Sequence, residues 1–442
     1  MITPNPQHMT LPPLIDTRDW FYVEPYVHIS AKRDGVLLYN TLNGVVIEDD
    51  YPPVVRLVKR LRARRSLLVV KLTSKEVGDG KVVAFVQKAR EAFVGDVLSE
   101  SFSRGRPIEM MPKLHVQRGP RGKASKDGLV PAGKDVMAYL AQISLYIINS
   151  CDRRCPSCRQ AYRQFLACTR GTGHTEQLAV ADIERLLEES KGSGLARINI
   201  VGGDIFQHSQ FADLAEVVSR MRAVKVYVTH YANLVARGEY LSLIAADKNA
   251  ELRILATFPL DRDRFDPVVP MLSRTGIHYG IDLIVQDESD LRAARAIVSD
   301  LKTERVSFKA CFDGTNSAFL ENVLFMSRED ILDARPSLRD VFARMALNPL
   351  NFGKLVVFSD GTVRASANTP VLGRLGGDSL HELVYEEVVN GGAWWTLRTS
   401  VRPCKVCTYS LLCPPLTHYE SVLGRSNLCH TRSGRWVSPG SS

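Results

Sequence analysis

The chain has 442 residues, a length that suits about three domains, and carries a formal net charge of +9. No apolar run approaches the length of a membrane span, and Met1–Trp20 holds no signal-peptide core. These features argue against a membrane protein and a disulfide scaffold, and a cytoplasmic location with reduced thiols is expected for the nine cysteines.

In chain order, Tyr26–Ala31, Val36–Asn40 and Val45–Glu48 are short β-rich runs separated by the hairpin signals Asp34-Gly35 and Asn43-Gly44. Two amphipathic stretches follow, one with Val54, Leu57, Val58 and Leu61 on a face and one with Val82, Phe85, Val86, Ala89 and Phe93. Arg56, Lys59, Arg60, Arg62, Arg64 and Arg65 fall in one stretch without an acid, which reads as a solvated helix face or as a surface for an acidic peptide or a nucleic-acid backbone. Ser103–Gly128, rich in Arg, Lys, Gly and Pro, reads as a linker. The expected division is therefore an N-terminal domain over 1–102, a linker over 103–135, a central domain over 136–345 and a C-terminal domain over 346–442.

The apolar run Ile143–Ile148 leads into Cys151-x3-Cys155-x2-Cys158. Three thiolates on one short loop can hold an iron–sulfur cluster and leave one iron open to another ligand. Structural zinc is the rival; it wants four closed ligands, usually as two paired motifs, and this spacing fits that poorly. Strand-like runs recur at Ser144–Ile148, Ala196–Val201, Lys225–Thr229, Leu252–Thr257, Ile277–Val285 and Val306–Phe312, with amphipathic stretches such as Ala181–Ser190, Gln210–Arg222 and Asp290–Leu301 between them. Such alternation predicts a parallel sheet, closed or partly closed as a barrel, with functional residues at the strand ends where Cys151, Gly202, Thr229, Thr257 and Cys311 fall. Gly202-Gly203-Asp204 follows the strand Arg197–Val201; its glycines would let backbone approach a ligand, and its carboxylate would accept from an ammonium group.

The last hundred residues carry Cys404-x2-Cys407-x5-Cys413-x15-Cys429, with Pro403, Pro414 and Pro415 breaking regular structure around them. Four thiolates satisfy one cluster completely, and zinc fits the same pattern. Cys168 and Cys311 belong to neither set; each reads as a small buried hydrophobe or as a functional thiol.

Cys151-x3-Cys155-x2-Cys158 after a first barrel strand, followed by Gly202-Gly203-Asp204, resembles the radical S-adenosylmethionine enzymes. The resemblance implies that the triad binds a [4Fe-4S] cluster chelated by S-adenosylmethionine, with Gly202, Gly203 and Asp204 at the methionyl amine and Thr257 at the ribose. Ser157 stands where the family often has an aromatic residue. The tail is similar to the SPASM extension of peptide-modifying members. The further cysteines of an inner cluster are missing, since Phe358–Arg364 continues as Ala365-Ser366-Ala367 and Thr417 stands four residues past Cys413. Two [4Fe-4S] clusters are therefore expected, the second on Cys404, Cys407, Cys413 and Cys429. The N-terminal strands and helices resemble in pattern a winged-helix element that pairs a leader peptide with its sheet edge, although a generic α/β cap shows the same pattern.

The implied fold is α/β, a partial (β/α)6 TIM-like barrel with a winged-helix-like N-terminal domain and a C-terminal iron–sulfur extension. The implied activity is hydrogen-atom abstraction from a ribosomal precursor peptide, ending in a thioether or carbon–carbon cross-link. An epimerase using Cys311 as hydrogen-atom donor, or an RNA-modifying enzyme, are the alternatives. Expected partners are the precursor with its leader and an external electron donor of the flavodoxin or ferredoxin type. Neither a membrane nor a nucleic acid is expected, the latter because no RNA-binding module is recognisable.

Overall fold

Short β-rich runs at the N-terminus form two separate sheets in the computed structural model, which describes residues 19–33, 35–103, 105–106, 136–171, 174–301, 305–432 and 435–436. Asp34 of the first expected hairpin and most of the 103–135 linker lie outside the described residues. In one sheet β2 (Val27–Ala31), β3 (Val36–Asn40) and β4 (Val46–Asp49) run antiparallel, with Ile29 opposite Leu38 and Leu38 opposite Ile47. In the other, β1 (Asp19–Val23) lies between β5 (Val69–Lys71) and β6 (Gly95–Ser99). The winged-helix pattern did not include this second sheet. Its strands are short and meet partners far away in sequence, so no local turn signal announces them.

Helix Pro52–Arg62 begins with proline in its first turn and ends on Lys59, Arg60 and Arg62, a charge order that suits the helix dipole. Helix Gly80–Glu91 is capped by Asp79, whose carboxylate accepts from Lys81 N and Val82 N. Both lay an apolar face, Val54, Leu57, Val58 and Leu61 on one and Val82, Phe85, Val86 and Ala89 on the other, onto a core shared with Phe21, Ile29 and Leu38. Leu57 is fully buried there, so truncation to alanine would cost about 2–5 kcal/mol.

Beyond the linker, β7 (Gln142–Tyr146), β8 (Arg197–Val201), β9 (Val224–His230), β10 (Ala250–Thr257), β11 (His278–Val285) and β12 (Val306–Ala310) pair in sequence order, all parallel. Alternate residues divide between two faces. Ile143, Leu145, Ile198, Ile200, Ile254, Ile281 and Leu283 pack outward against helices that include Val180–Glu189, Phe211–Ser219 and Glu288–Asp300. Tyr146, Val201, Val226, Val228, Leu255, Ile284 and Cys311 meet on the inner face with Ala161, Tyr162, Phe165 and Ala167 from the segment after the cysteine triad. Burial on both faces is why these strands read as continuous apolar runs.

Among the described residues β12 pairs only with β11, so the parallel ladder has an open edge there. At the opposite edge β13 (Lys354–Val357) joins β7 in parallel, with Leu355 beside Ile143, and β14 (Thr362–Arg364) and β15 (Val371–Arg374) extend the sheet to nine strands. The N-terminal β3 docks on the tail: Leu37 and Tyr39 pack with Ile331, Val341, Cys407, Tyr409, Leu412 and Cys413. Arg328 bridges the same interface, with Nη2 2.5 Å from Glu48 Oε1 and Nε 2.7 Å from Tyr409 Oη, and Tyr409 also bonds Glu48. Among the described residues no helix is long and apolar enough to cross a membrane.

Candidate functional site

Past β7 the chain leaves the sheet through Ile147 and Ile148 into the triad loop, which is fastened mainly by backbone. Gly203 N donates to Ile148 O at 2.7 Å, Asp204 N to Ser150 O at 2.7 Å and Thr169 N to Gly202 O at 2.9 Å. A Cβ on Gly202 would stand 2.6 Å from Ile148 O, and one on Gly203 would stand 2.0 Å from Ser150 O. The close approach that these glycines permit is thus to the cysteine loop itself, where the sequence reading placed a ligand. Gln207 completes the lock: its Oε1 accepts from Ser150 Oγ at 2.8 Å, and its Nε2 donates to Asp152 Oδ2 at 2.8 Å.

Cys151, Cys155 and Cys158 are half-buried and line a cleft of 740 Å³ with Arg153, Arg154, Arg159 and Arg170. Burial raises the Cys151 pKa and pushes Cys155 up to about 11, and the three thiols act on one another as neighbouring charges. Cys158 is held down at about 7, first by a hydrogen bond from Cys168, so Cys168 lies against the triad. Asp204 is 5% exposed; its Oδ1 accepts from Phe206 N at 3.2 Å, and burial raises its pKa while Arg237 and Arg153 act to lower it.

The next strand ends bring three more polar groups near the triad. His230 Nδ1 accepts from Ala232 N at 3.3 Å, so in the neutral ring the proton sits on Nε2, which lies 3.1 Å from Thr257 Oγ1. Burial, reinforced by Arg153, lowers the His230 pKa to about 4 and keeps the ring neutral. Thr257 is among the groups that act to lower the Cys155 pKa against the effect of burial. Asn233, in helix Tyr231–Ala236, accepts from Arg153 Nε at 2.9 Å through Oδ1, and its Nδ2 stands by Cys151 without completing a hydrogen bond. A sulfur-only ligand set on one loop, with an orphaned buried N–H beside it, fits an iron–sulfur cluster. As placed, no group of three or more His, Cys, Asp or Glu among the described residues could hold a single metal ion.

Cys311 faces inward but is fully buried under Gln164. The Gln164 amide clamps the next peptide, accepting from Phe312 N at 2.7 Å and donating to Phe312 O at 2.9 Å, and its Nε2 lies 3.7 Å from Cys311 Sγ. Burial pushes that thiol up to about 12. Thr229 turns its side chain to the opposite face from Val228 and His230.

In the tail, Cys404, Cys407 and Cys413 are buried and Cys429 partly so, and Cys413 has the other three as charge neighbours. Arg398 Nη1 lies 3.6 Å from Cys404 Sγ and Nη2 2.7 Å from Glu420 Oε1, while Asn427 Nδ2 lies 3.3 Å from Cys429 Sγ. Arg344 and Lys32 place further cations near Cys413 and Cys407, and Lys32 Nζ donates to Lys405 O at 3.0 Å. Thr417 forms a capping box with Glu420 on helix His418–Leu423, a structural task for the position where the family's inner cluster would need a cysteine.

Gln164, Gln207, His230 and Asn233 were missed in the sequence. His230 and Asn233 follow the end of a strand already recognised as such, and that position was the available signal.

No protein-family model matches the chain, and no curated protein matches it. Among solved structures, SuiB from Streptococcus suis bound to its precursor peptide SuiA is similar at 14% identity and a TM-score of 0.45, covering 94% of this chain and all of that one. A second is anSMEcpe with bound AdoMet, at 14% identity and a TM-score of 0.42, over 65% of this chain and 92% of that one. BtrN in complex with AdoMet and 2-DOIA has 12% identity and a TM-score of 0.27, over 56% of this chain and 83% of that one. Likeness at this level carries no chemistry, which the side chains must supply on their own.

Proposed function

We propose that this chain is a radical S-adenosylmethionine enzyme that matures a ribosomally made peptide. The observation that carries the proposal is the sulfur-only triad at the carboxyl end of the first parallel strand, interlocked through Gly202, Gly203 and Gln207 with the Asp204 loop. Cys151, Cys155 and Cys158 would hold a [4Fe-4S] cluster that keeps one iron for S-adenosylmethionine. When bound, the pair supplies a 5′-deoxyadenosyl radical able to take hydrogen from an unactivated carbon.

The chain's own residues do the rest. Asp204 would accept from the methionyl ammonium group, and the inner apolar face, with Tyr146, Val228, Leu255 and Ile284, would keep water from a reactive intermediate. Cys404, Cys407, Cys413 and Cys429 would hold a second [4Fe-4S] cluster that is fully ligated and suited to electron transfer or structure. Residues 1–102 would take the leader of the precursor, and a flavodoxin- or ferredoxin-type donor would supply the electron. Burial of Cys311 under Gln164 favours cross-linking over epimerisation, because a hydrogen-atom donor must reach the substrate. Part of the basic run is engaged within the N-terminal domain, with Arg60 bonded to Glu76 at 2.9 Å.

Reconstituted, reduced protein should cleave S-adenosylmethionine to 5′-deoxyadenosine, and the Cys155→Ala variant should not. Equal yields from the two would remove the triad from the chemistry. A co-expressed precursor should lose about two hydrogens in mass on cross-linking, whereas deuterium uptake from solvent without that loss would favour the epimerase.

A further inference from the structure

Arginine crowds one side of the triad loop, and its charge is left unbalanced. Two clefts adjoin there, because Arg159 and Arg170 line both: the cleft of the cysteines, with Arg153 and Arg154, and a second of 630 Å³ whose walls include Arg163 and Arg364. Among the described residues none of these arginines forms an ion pair with a carboxylate. The acids of the two clefts are turned to neutral donors instead: Asp152 accepts from Gln207 Nε2 at 2.8 Å, Glu176 from Asn149 Nδ2 at 3.1 Å and Asp360 from Thr362 N at 2.9 Å. Neutral acceptors hold Arg163 (Nε to Asn368 Oδ1, 3.1 Å), Arg170 (Nη1 to Arg153 O, 3.3 Å) and Arg364 (Nη1 to Thr369 O, 2.7 Å), which fixes these cations without cancelling them. Arg154 and Arg159 are exposed and make no hydrogen bond among the described residues. A loaded triad would not absorb this surplus, since a cubane on three thiolates carries about one negative charge and S-adenosylmethionine brings about one positive charge of its own.

The second cleft is also walled off from the inner face of the sheet. Tyr162 and Phe358 line it and at the same time pack on that face, edge to face with each other at 6.3 Å and both against Tyr146. Hydrogen abstraction belongs on the inner side of this wall. An electron needs nearness to the triad but no contact with the substrate, and can arrive from the other side. We infer that the arginine clefts are the docking surface of the one-electron donor, a small flavoprotein with an acidic face around its flavin. This rests on the proposed function and names the surface through which its reductant acts. In the encounter the anionic flavin hydroquinone loses one electron and becomes the neutral semiquinone, the triad centre gains that electron, and no bond is made or broken. Opposite charge steers such encounters and is screened by salt, and electron-transfer partners need only a small, transient interface.

The experiment uses the full chain with its centres reconstituted, an acidic flavodoxin as donor, and dithionite as a reductant that needs no docking surface. Binding is followed by the fluorescence of the oxidised flavin, and S-adenosylmethionine cleavage is run with each reductant. The paired variant Arg154→Glu/Arg159→Glu, which removes no hydrogen bond within the chain, should weaken flavodoxin binding about tenfold, and its loss of rate with flavodoxin should exceed its loss with dithionite by about the same factor. Arg154→Lys/Arg159→Lys, which keeps the charge, should bind as wild type does, and added salt should weaken wild-type binding more than that of the Glu pair. Unchanged binding by the Glu pair, binding insensitive to salt, or equal losses of rate with both reductants would each overturn the inference. A higher KM for the precursor peptide in the Glu pair under dithionite would overturn it as well, by giving the clefts to an acidic stretch of the substrate. Failure of iron-loaded wild type to cleave S-adenosylmethionine with dithionite would overturn the proposed function and this inference together.

Discussion

The two cysteine sites are built in opposite ways from the same ligand. The triad loop sits at a solvent-lined cleft with arginines around it, its thiols half-buried and its backbone fastened to the Gly202–Asp204 loop. The tail set has four cysteines, three of them buried and Cys429 partly so, and is backed by the internal ion pair Arg398–Glu420, whose side chains are 6% and 5% exposed. An incomplete ligand set next to open space is what reactivity requires, and a complete set without access suits a fixed centre. The number of thiols and their burial therefore vary together between the two sites.

The sharpest way to break that comparison is to remove one sulfur from each site. Cys155→Ala should abolish 5′-deoxyadenosine formation and lower the iron content from about eight to about four per chain, with little effect on thermal stability. Cys413→Ala should remove a similar amount of iron and destabilise the fold by on the order of 4 kcal/mol, because Cys413 also packs where β3 docks. Equal stability losses from the two would contradict the division drawn here. Next in size, Arg398→Met should cost about 3–5 kcal/mol in denaturant unfolding by leaving the buried Glu420 charge without its cation, whereas the double variant with Glu420→Gln, which removes that charge and keeps the capping box, should recover part of the loss.

Acid acts on the two sites alike. His230 near the triad and His418 in the tail are both lowered to about 4 from 6.5, chiefly by burial. Between those values the unfolded chain binds protons that the folded chain refuses, so stability is full above about 6.5 and falls as pH drops, by roughly 1.4 kcal/mol per pH unit for each histidine. Replacing His418 by Gln should remove about half of that slope in pH-dependent unfolding. The smallest effect belongs to the docking interface, where Arg328→Ala should cost at most about 1 kcal/mol because both partners of the Glu48 pair are more than a third exposed.

The central sheet was legible because its strands are apolar on both faces and alternate with amphipathic helices; β8 and β11 fall within a residue of their expected bounds. The N-terminal strands β2, β3 and β4 were equally plain from their turns. What stayed hidden is long-range: β1 between β5 and β6, and β13 beside β7, are pairings that no local pattern announces. At the site, the cysteines and Gly202-Gly203-Asp204 were readable as motifs, but the reason for the glycines was not, since it depends on Ser150 O and Ile148 O across the loop. Gln164 and Asn233 act through contacts with residues distant in sequence, and side-chain direction is fixed only once the strands are in register.

The parallel ladder between β13 and β7 makes the C-terminal region part of the scaffold and not an appendage that could be trimmed away. A chain cut before Lys354 would bare the flank of the very strand that delivers the triad, an unpaired row of amides and carbonyls of the kind that recruits neighbouring molecules into aggregates. Insoluble truncations would thus report on this shared edge, whatever the catalytic worth of the missing segment.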